Sequence, residues 1–575
     1  MKIVYVGRDQ LARQEMLATE GDILLLLYDR WDDFGYKTRF PTECRIGGNK
    51  VELGAVRILF DGEQSSHPYL VGRQQEGWNG QFPLDGATYI SVPEEITFYD
   101  QLQSQLPEGG ALDVAKSLYD ASFLVHIAQD ETALAQIRTR GFADSLQRER
   151  SAQKSFTDGW KLLNGETLNV ADLVFQFEDP LGNLSTLRLN FVPKSPLPHD
   201  INVVIGPNGA GKSSLLRQMV RSWLDDSSLE GPAFEPRPNL SQLVTVSYSP
   251  FERLPVDTDD VDKTLLDKDI YRFFGFRGRR RSQATGRLGQ VRHSLGVPKE
   301  NAARSLIQCL TDDMRFSSIR AWANKLRTLH GVLNSAIAFD VAAVRLRPEA
   351  PLDTILGEDP FEEVELIEVE EPTADGGTEI VRYVPIVAGT SVINAPALLQ
   401  HVDLEDGVTF FSEGEPLRLS SGQRLFFYIV VNILGVIRRN SLVIVDEPEL
   451  FLHPTLEVQF VSMLKQILQA YGSKALLATH SVLTVREVPS ACVHVFEITD
   501  DGLAIKTPPF ETFGGDVQRI SSYVFGDRSI SKPHEAWLKG MLEEHDTAAA
   551  VIEVLGTEVN EEMIVQLHAM EQGKW

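Results

Sequence analysis

The sequence predicts an α/β fold built on a parallel sheet, and three stretches carry that prediction. Ile201–Ile205, INVVI, reads as an apolar strand that runs into the glycine-rich segment Gly206–Ser214 and then into a helix with Leu215, Leu216, Met219 and Val220 on one face. Leu442–Val445 is an unbroken apolar run, as expected of a strand covered on both faces, and it ends in Asp446-Glu447-Pro448. Ala475–Ala478 is a second such run and closes with Thr479-His480-Ser481. Ligands of doubly wound sheets sit at the carboxyl ends of the strands, so the glycine loop, the acidic pair and the histidine are expected on one edge.

Each of these ends carries residue types suited to phosphate chemistry. Gly206-Pro207-Asn208-Gly209-Ala210-Gly211-Lys212-Ser213-Ser214 fits GxxxxGK[ST] in full. The glycines let backbone N–H groups turn inward, Lys212 supplies a point charge for the outer phosphates, and the Ser213 hydroxyl is suited to Mg²⁺. The following helix adds its positive N-terminal end. Gly206, Asn208, Gly209, Gly211, Lys212, Ser213 and Ser214 are therefore the candidate phosphate site. Asp446 is the candidate metal residue beside Ser213, acting through water, and Glu447 is placed to polarise an attacking water. His480, next to the same edge, is the second candidate catalytic residue. Leu419-Ser420-Ser421-Gly422-Gln423 precedes the apolar helix Leu425–Ile437, and serine hydroxyls with free amides at a helix start make a second anion site.

Composition bounds the remaining possibilities. At 575 residues the chain has length for two to four domains. No run of 18 apolar residues is present, the first residues show no signal-peptide pattern, and the three cysteines, Cys44, Cys309 and Cys492, form no CxxC pair. A cytoplasmic location is the expectation. The net charge of −26 opposes any coating of nucleic acid through overall positive charge, so a DNA or RNA contact would need a local basic patch.

Taken in order, residues 1–160 read as a β-rich accessory domain with helices, including strands at Ile23–Leu27, Val51–Phe60 and Ala87–Val92. Trp31, Asp32, Asp33 and Tyr36 read as an aromatic-bearing turn. Residues 161–255 hold a hairpin at 168–192, turned by Asp179–Asn183, and then the glycine loop. Residues 256–396 read as an inserted α-helical or lid region with two charge blocks. One block is basic: Arg272, Arg277, Arg279, Arg280, Arg281, Arg287 and Arg292, interleaved with Tyr271, Phe273, Phe274 and Phe276. It offers a nucleic-acid surface, in which arginines meet phosphates and rings stack on bases, against the alternatives of a buried aromatic set and of pairing with acids of the same chain. The other block is acidic and runs from Glu358 and Asp359 through Glu362, Glu363, Glu365, Glu368 and Glu370 to Glu371. Residues 397–525 carry the second half of the site, and 526–575 form a helical tail.

Together the motifs resemble those of the ABC-type ATPases. GPNGAGKSS is similar to their Walker A loop, LSSGQ to their signature motif, LVIVDEP to their Walker B strand and ATHS to their switch histidine, in the family's order. The wording DEPELFLHP resembles the RecF, OLD and SMC branch and the ATPases of bacterial anti-phage systems. The resemblance implies an ABC-type P-loop head that binds ATP and Mg²⁺ and hydrolyses ATP. It also implies a homodimer in which Ser421, Gly422 and Gln423 meet the γ-phosphate held by the partner's Walker A loop. The expected function is an ATP-gated sensor or clamp in prokaryotic defence or DNA repair that controls a separate effector such as a nuclease. An ATP-bound scaffold with little turnover is the alternative, and a transporter ATPase subunit a further one. One departure is that Ser249 and Glu252 occupy the region where the family places its Q-loop glutamine. A second is the absence, after His480, of the clustered carboxylates of the TOPRIM domain in OLD-type nucleases.

Overall fold

A computed structural model describes residues 1–30, 35–166, 170–224, 231–257, 270–281, 288–316, 324–357, 364–372, 377–500, 502–526 and 533–573, with the backbone alone at 150, 280, 281, 288, 289 and 533. Trp31, Asp32, Asp33, Arg287, Glu358, Asp359, Glu362 and Glu363, named above, lie outside the described residues. The chain divides into two compact units, Met1–Phe513 and Gly514–Trp575.

The larger unit is organised by a seven-stranded sheet in the order Tyr271–Gly275, Gln242–Ser247, Ser441–Asp446, Lys474–Thr479, Ile201–Ile205, Val493–Thr499, Gly502–Lys506. The first six strands run parallel, and the last is antiparallel to its neighbour. Ile201–Ile205, Gln242–Ser247 and Ser441–Asp446 are buried at every position, as the unbroken apolar runs require of strands covered on both sides. Register aligns Ser247 with Asp446, Asp446 with Ala478 and Thr479 with Ile205. The expected functional ends of three separate strands therefore meet on one edge, beside the helix Lys212–Leu224. A three-stranded antiparallel sheet, Ala233–Phe234, Leu173–Glu178 and Leu184–Leu189, covers that helix and contains the expected hairpin.

The N-terminal region is a sheet in the order Gln81–Phe82, Lys2–Gly7, Ile23–Leu27, Arg39–Ile46, Ala55–Phe60, Tyr89–Pro93, with Asn49–Val51 attached to the fourth strand. Lys2–Gly7 pairs in parallel with Ile23–Leu27 across the helix Gln10–Ala18. That first strand is absent from the sequence reading because four consecutive buried residues, Ile3–Val6, lack the alternation that marks a half-exposed strand. The single strand expected over 51–60 is two, Asn49–Val51 and Ala55–Phe60, because Gly54 at φ +80° turns the chain between them.

Residues 256–396 are not helical alone. Tyr271–Gly275 is the edge strand of the main sheet, and Arg277–Arg281 forms a hairpin with Leu288–His293. The expected helical stretch gives Gly296–Arg315 and Lys325–Asn334. An antiparallel sheet then follows, in the order Ile367–Pro372, Thr378–Ile386, Val341–Arg345, Thr409–Ser412, Glu415–Pro416. Part of the acidic block is thus a strand. Ile367 and Val369 pack against Ala343, Val381, Tyr383 and Phe411, while Glu368 pairs with Arg382 at 3.0 Å on the other face. The run of carboxylates masks this period of two in the sequence. Helix Gly296–Arg315 packs on the apolar helix Ser421–Val436 so closely that a Cβ on Gly435 would stand 2.5 Å from Ser305 Cβ. Ser305 also donates to Asn432 at 2.9 Å, and Asn432 donates to Tyr248 at 3.1 Å, so the crossing is pinned by buried polar contacts as well as by shape.

The smaller unit holds the helices Val517–Phe525, Pro533–His545, Ala548–Leu555 and Glu561–Glu571, with Leu538, Ala548, Val551 and Leu567 fully buried.

Candidate functional site

The phosphate loop leaves the buried strand Ile201–Ile205 at Gly206, where a side chain is sterically forbidden: a Cβ there would lie 2.4 Å from the Phe496 carbonyl oxygen. Gly209 and Gly211 take φ of +82° and +93°, the conformation that turns successive N–H groups into the loop. A Cβ on Gly211 would also meet Pro180 Cγ at 2.9 Å, so the hairpin turn leans on the loop. That turn is fixed by Asp179, whose carboxylate accepts from the backbone N–H of Leu181, Asn183 and Leu503. Lys212 is buried and donates from Nζ to the Gly206 and Pro207 carbonyls at 2.9 and 3.1 Å. Burial pulls its pKa down to about 8, against the attraction of Glu447, Asp446 and Glu449. An arriving phosphate would replace the two carbonyls as partner and restore the charge. Asn208 and Ser213 are exposed, and Ser214 is half-buried, with its hydroxyl accepting from Gln218 at 3.2 Å.

Ser213 Oγ donates to Asp446 Oδ1 at 3.3 Å, joining the glycine loop to the acidic strand end 233 residues away in sequence. Two ligands on neighbouring corners of an octahedral Mg²⁺, each at 2.0–2.1 Å, stand about 3 Å apart, so these oxygens fit the ion with substrate phosphates completing the shell. Among the described residues no group of three His, Cys, Asp or Glu side chains forms a cage, in keeping with that open arrangement. Burial, followed by repulsion from Glu447, raises the Asp446 pKa to about 7. Glu447 takes φ +51°, a strained conformation for a non-glycine residue, and its N–H continues the ladder to the Ala478 carbonyl at 2.8 Å. Its carboxylate is half-buried, 4.0 Å from His480 Nε2. That separation is too long for a hydrogen bond and leaves both groups directed at the space in front of the loop. Burial and the nearby Lys212 lower the His480 pKa, which keeps the imidazole neutral at pH 7.

Glu449 is absent from the sequence reading, which stopped at Asp446-Glu447-Pro448. Its carboxylate accepts from the His480 N–H at 2.6 Å and from the Thr479 hydroxyl at 2.8 Å. It therefore ties the acidic turn to the histidine turn and sets where the imidazole stands. The signal was present as the third acid of DEPE, but only the fold reveals what it reaches.

At the second candidate site, Ser420 caps the helix Ser421–Val436. Its hydroxyl accepts from Gln423 N–H at 3.2 Å, and Gln423 Oε1 accepts from Ser420 N–H at 2.9 Å. This capping box occupies the Gln423 carbonyl within its own turn and leaves Ser421 exposed. Gly422 touches the acidic segment: a Cβ there would lie 2.7 Å from the Phe451 carbonyl oxygen.

The basic block stands apart from these contacts. Arg277 pairs with the buried Glu252 at 2.5 Å, and Arg279 reaches both Asp257 oxygens at 3.0 and 2.8 Å. These acids belong to the loop after Gln242–Ser247, not to the acidic block. Glu252 thus has a structural partner in the position open to the family's glutamine, and Ser249 is buried beside it. Phe273 and Phe274 belong to the core, and Phe276 packs on Tyr248, His293 and Phe451. Arg280 and Arg281 are described in backbone only.

Comparisons agree with this arrangement. Residues 201–486 match the family model described as "AAA domain, putative AbiEii toxin, Type IV TA system". The chain is 24% identical over 527 residues to protein ea59 of Escherichia phage lambda, covering 88% of this chain and 87% of that protein. Among solved structures it is similar to the SMC head domain from Thermotoga maritima, at 9% identity and a TM-score of 0.25, covering 60% of this chain and 100% of that one. It is also similar to an ATP-binding cassette of an ABC transporter in its ADP conformation, at 11% identity and a TM-score of 0.26, covering 62% and 98%. No described helix is long and apolar enough to cross a membrane. With the phosphate loop, the acidic strand end and the switch histidine on one sheet edge, the chain carries an ABC-type P-loop ATPase head of the SMC/RecF-like branch.

Proposed function

We propose that the chain hydrolyses ATP with Mg²⁺ and that two copies close around two nucleotides, acting as an ATP-gated sensor or clamp for a separate effector. The observation that carries the reading is that the chain presents two unlike half-sites. Gly206–Ser214, Asp446, Glu447 and His480 converge on one edge, whereas the hydrogen bonds at the start of Ser421–Val436 stay within Leu419–Arg424. A second copy supplies what that exposed helix start lacks, a bound phosphate. In this reading Lys212 holds the outer phosphates, Ser213 and Asp446 hold the metal, which neutralises phosphate charge, and Glu447 orients the attacking water. Neutral His480 addresses the γ-phosphate. The defence or repair setting rests on the motif wording and on the family description.

Light scattering on the Glu447→Gln chain tests the proposal. Without turnover, ATP and Mg²⁺ are expected to double its mass, and Lys212→Ala is expected to stay at the mass of the protein without nucleotide. Mixing Lys212→Ala with Ser421→Arg leaves at most one competent site per dimer, so the mixture is expected to regain part of the activity that each variant lacks alone. An unchanged mass of Glu447→Gln with ATP would refute nucleotide-driven closure.

The paired state of Arg277 and Arg279 and the burial of Phe273 and Phe274 do not favour the nucleic-acid surface, which is not part of the proposal.

A further inference from the structure

At the opposite end of the main sheet from the phosphate loop, the larger unit encloses a cavity of about 300 Å³. The strand Gln242–Ser247 joins the two ends: Gln242 lines the cavity, and Ser247 is in register with Asp446, about 16 Å away for five residues of strand. The cavity wall comes from four regions. Glu95 and Asp100 belong to the accessory domain, as does Lys154 of helix Arg150–Leu163. Arg272 comes from the edge strand, Asp312 and Arg315 from Gly296–Arg315, and Arg438 and Arg439 from the turn before Ser441–Asp446.

In a chain with 81 acidic and 55 basic side chains, the balance here is reversed. Among the described lining residues, Lys154, Arg272, Arg315, Arg438 and Arg439 are five cations against the three acids Glu95, Asp100 and Asp312. The ion pairs Arg439–Asp100 at 2.7 Å and Arg315–Glu95 at 3.3 Å are internal to this count. Lys154 pairs outward with Asp158 and Asp312 with Lys325, each at hydrogen-bond distance, so including those partners leaves the excess at two. Gln242 is 1% exposed, and its side-chain oxygen has no hydrogen-bond partner in the protein. A buried amide oxygen left unpaired is costly, and a ligand hydroxyl or N–H would satisfy it.

We infer that this cavity binds a small phosphate monoester bearing hydroxyl groups, a molecule of sugar-phosphate size. An excess of two positive charges matches the −1.5 to −2 of a phosphate monoester near pH 7. Four of the five cations are arginines, whose planar forks suit phosphate oxygens. The volume falls at the small end of the roughly 300–1,000 Å³ range of ligand pockets, which suits a small molecule and not a polymer. The inference does not depend on the proposed reading of the nucleotide site, because no cavity residue belongs to it. It also gives Arg272, the basic-block residue nearest the core, a use that does not involve nucleic acid.

Isothermal titration of ribose 5-phosphate and of inorganic phosphate tests the assignment. The host is the full chain carrying Lys212→Ala, which removes the phosphate loop as a competitor. Ribose 5-phosphate is expected to bind with a millimolar or lower Kd, tenfold or more tightly than inorganic phosphate. Arg272→Gln is expected to weaken both by tenfold or more. Gln242→Leu keeps the shape and breaks no hydrogen bond of the amide oxygen, so it is expected to weaken ribose 5-phosphate alone while leaving the melting temperature in place. If Arg272→Gln does not fold, Gln242→Leu decides the matter. No binding of ribose 5-phosphate at millimolar concentration, or binding unchanged in the variants that fold, overturns the site. Equal affinity for the two probes overturns the monoester assignment.

Discussion

At the residue scale the site depends on groups that position other groups. Glu449 is the clearest case, since it holds the Thr479 hydroxyl and the His480 N–H without being placed to touch a nucleotide. Glu449→Ala is expected to lower kcat by about tenfold to hundredfold, the range for small misplacements, while ATP affinity changes little. Glu449→Gln keeps an acceptor for one partner and is expected to recover part of the rate; steady-state kinetics separates the two. A second residue, Asp120, is fully buried, accepts from the Tyr99 hydroxyl at 2.8 Å and caps Phe123 N–H at 2.9 Å. Burial raises its pKa from 3.8 to about 7. Between these values the folded chain holds a proton that the unfolded chain has lost, so this group's contribution to stability falls as pH rises from about 4 to about 7. Asp120→Asn is neutral at every pH, and its melting temperature relative to wild type is expected to be higher at pH 8 than at pH 5.

At the element scale two close approaches are the vulnerable points. Gly435→Ala puts a methyl 2.5 Å from Ser305 Cβ, where the two longest helices of the head cross. The expected cost is about 1–3 kcal/mol, read as a lower melting temperature, and Ser305→Gly in the same chain is expected to recover part of it. Gly422→Ala drives a methyl toward the Phe451 carbonyl at 2.7 Å and tilts the signature helix start away from the acidic segment. It is expected to bind ATP normally and to fail in closure, which light scattering would show. The loop after Gln242–Ser247 depends on one pair: Arg277→Ala leaves Glu252, with a side chain 1% exposed, buried without its cation. A loss of about 3–5 kcal/mol is expected, against a smaller loss for Glu252→Gln with Arg277 retained.

At the scale of the whole molecule, the larger unit has its own sheets and cores and ends at Phe513, while the smaller has a separate core around Leu538, Val551 and Leu567. A chain ending at Phe513 is expected to fold and to bind ATP with unchanged affinity, checked by its melting temperature and by nucleotide titration. If the smaller unit serves the proposed effector, capture of that effector is what the truncated chain loses.

The sequence by itself determined the class of the head and the residues on its nucleotide edge. A glycine loop, two apolar strand ends and a helix cap are local patterns, each imposed by backbone or phosphate chemistry within about ten residues. It also determined where helices fall in Gly296–Arg315 and Ser421–Val436, because their apolar spacing is local too. What only the tertiary structure decided are contacts between distant segments. Asp446 meets Ser213, Glu449 holds the histidine turn, and Glu252 rather than the acidic block neutralises Arg277. The basic block could not be read correctly because a guanidinium looks the same in sequence whether its partner is water, a nucleic-acid phosphate or a buried carboxylate. The acidic strand Ile367–Pro372 and the fully buried strand Lys2–Gly7 escaped for a related reason. Whether a side chain faces a core depends on what packs above it, and that is settled by pairing across the sheet, not by the residues on either side.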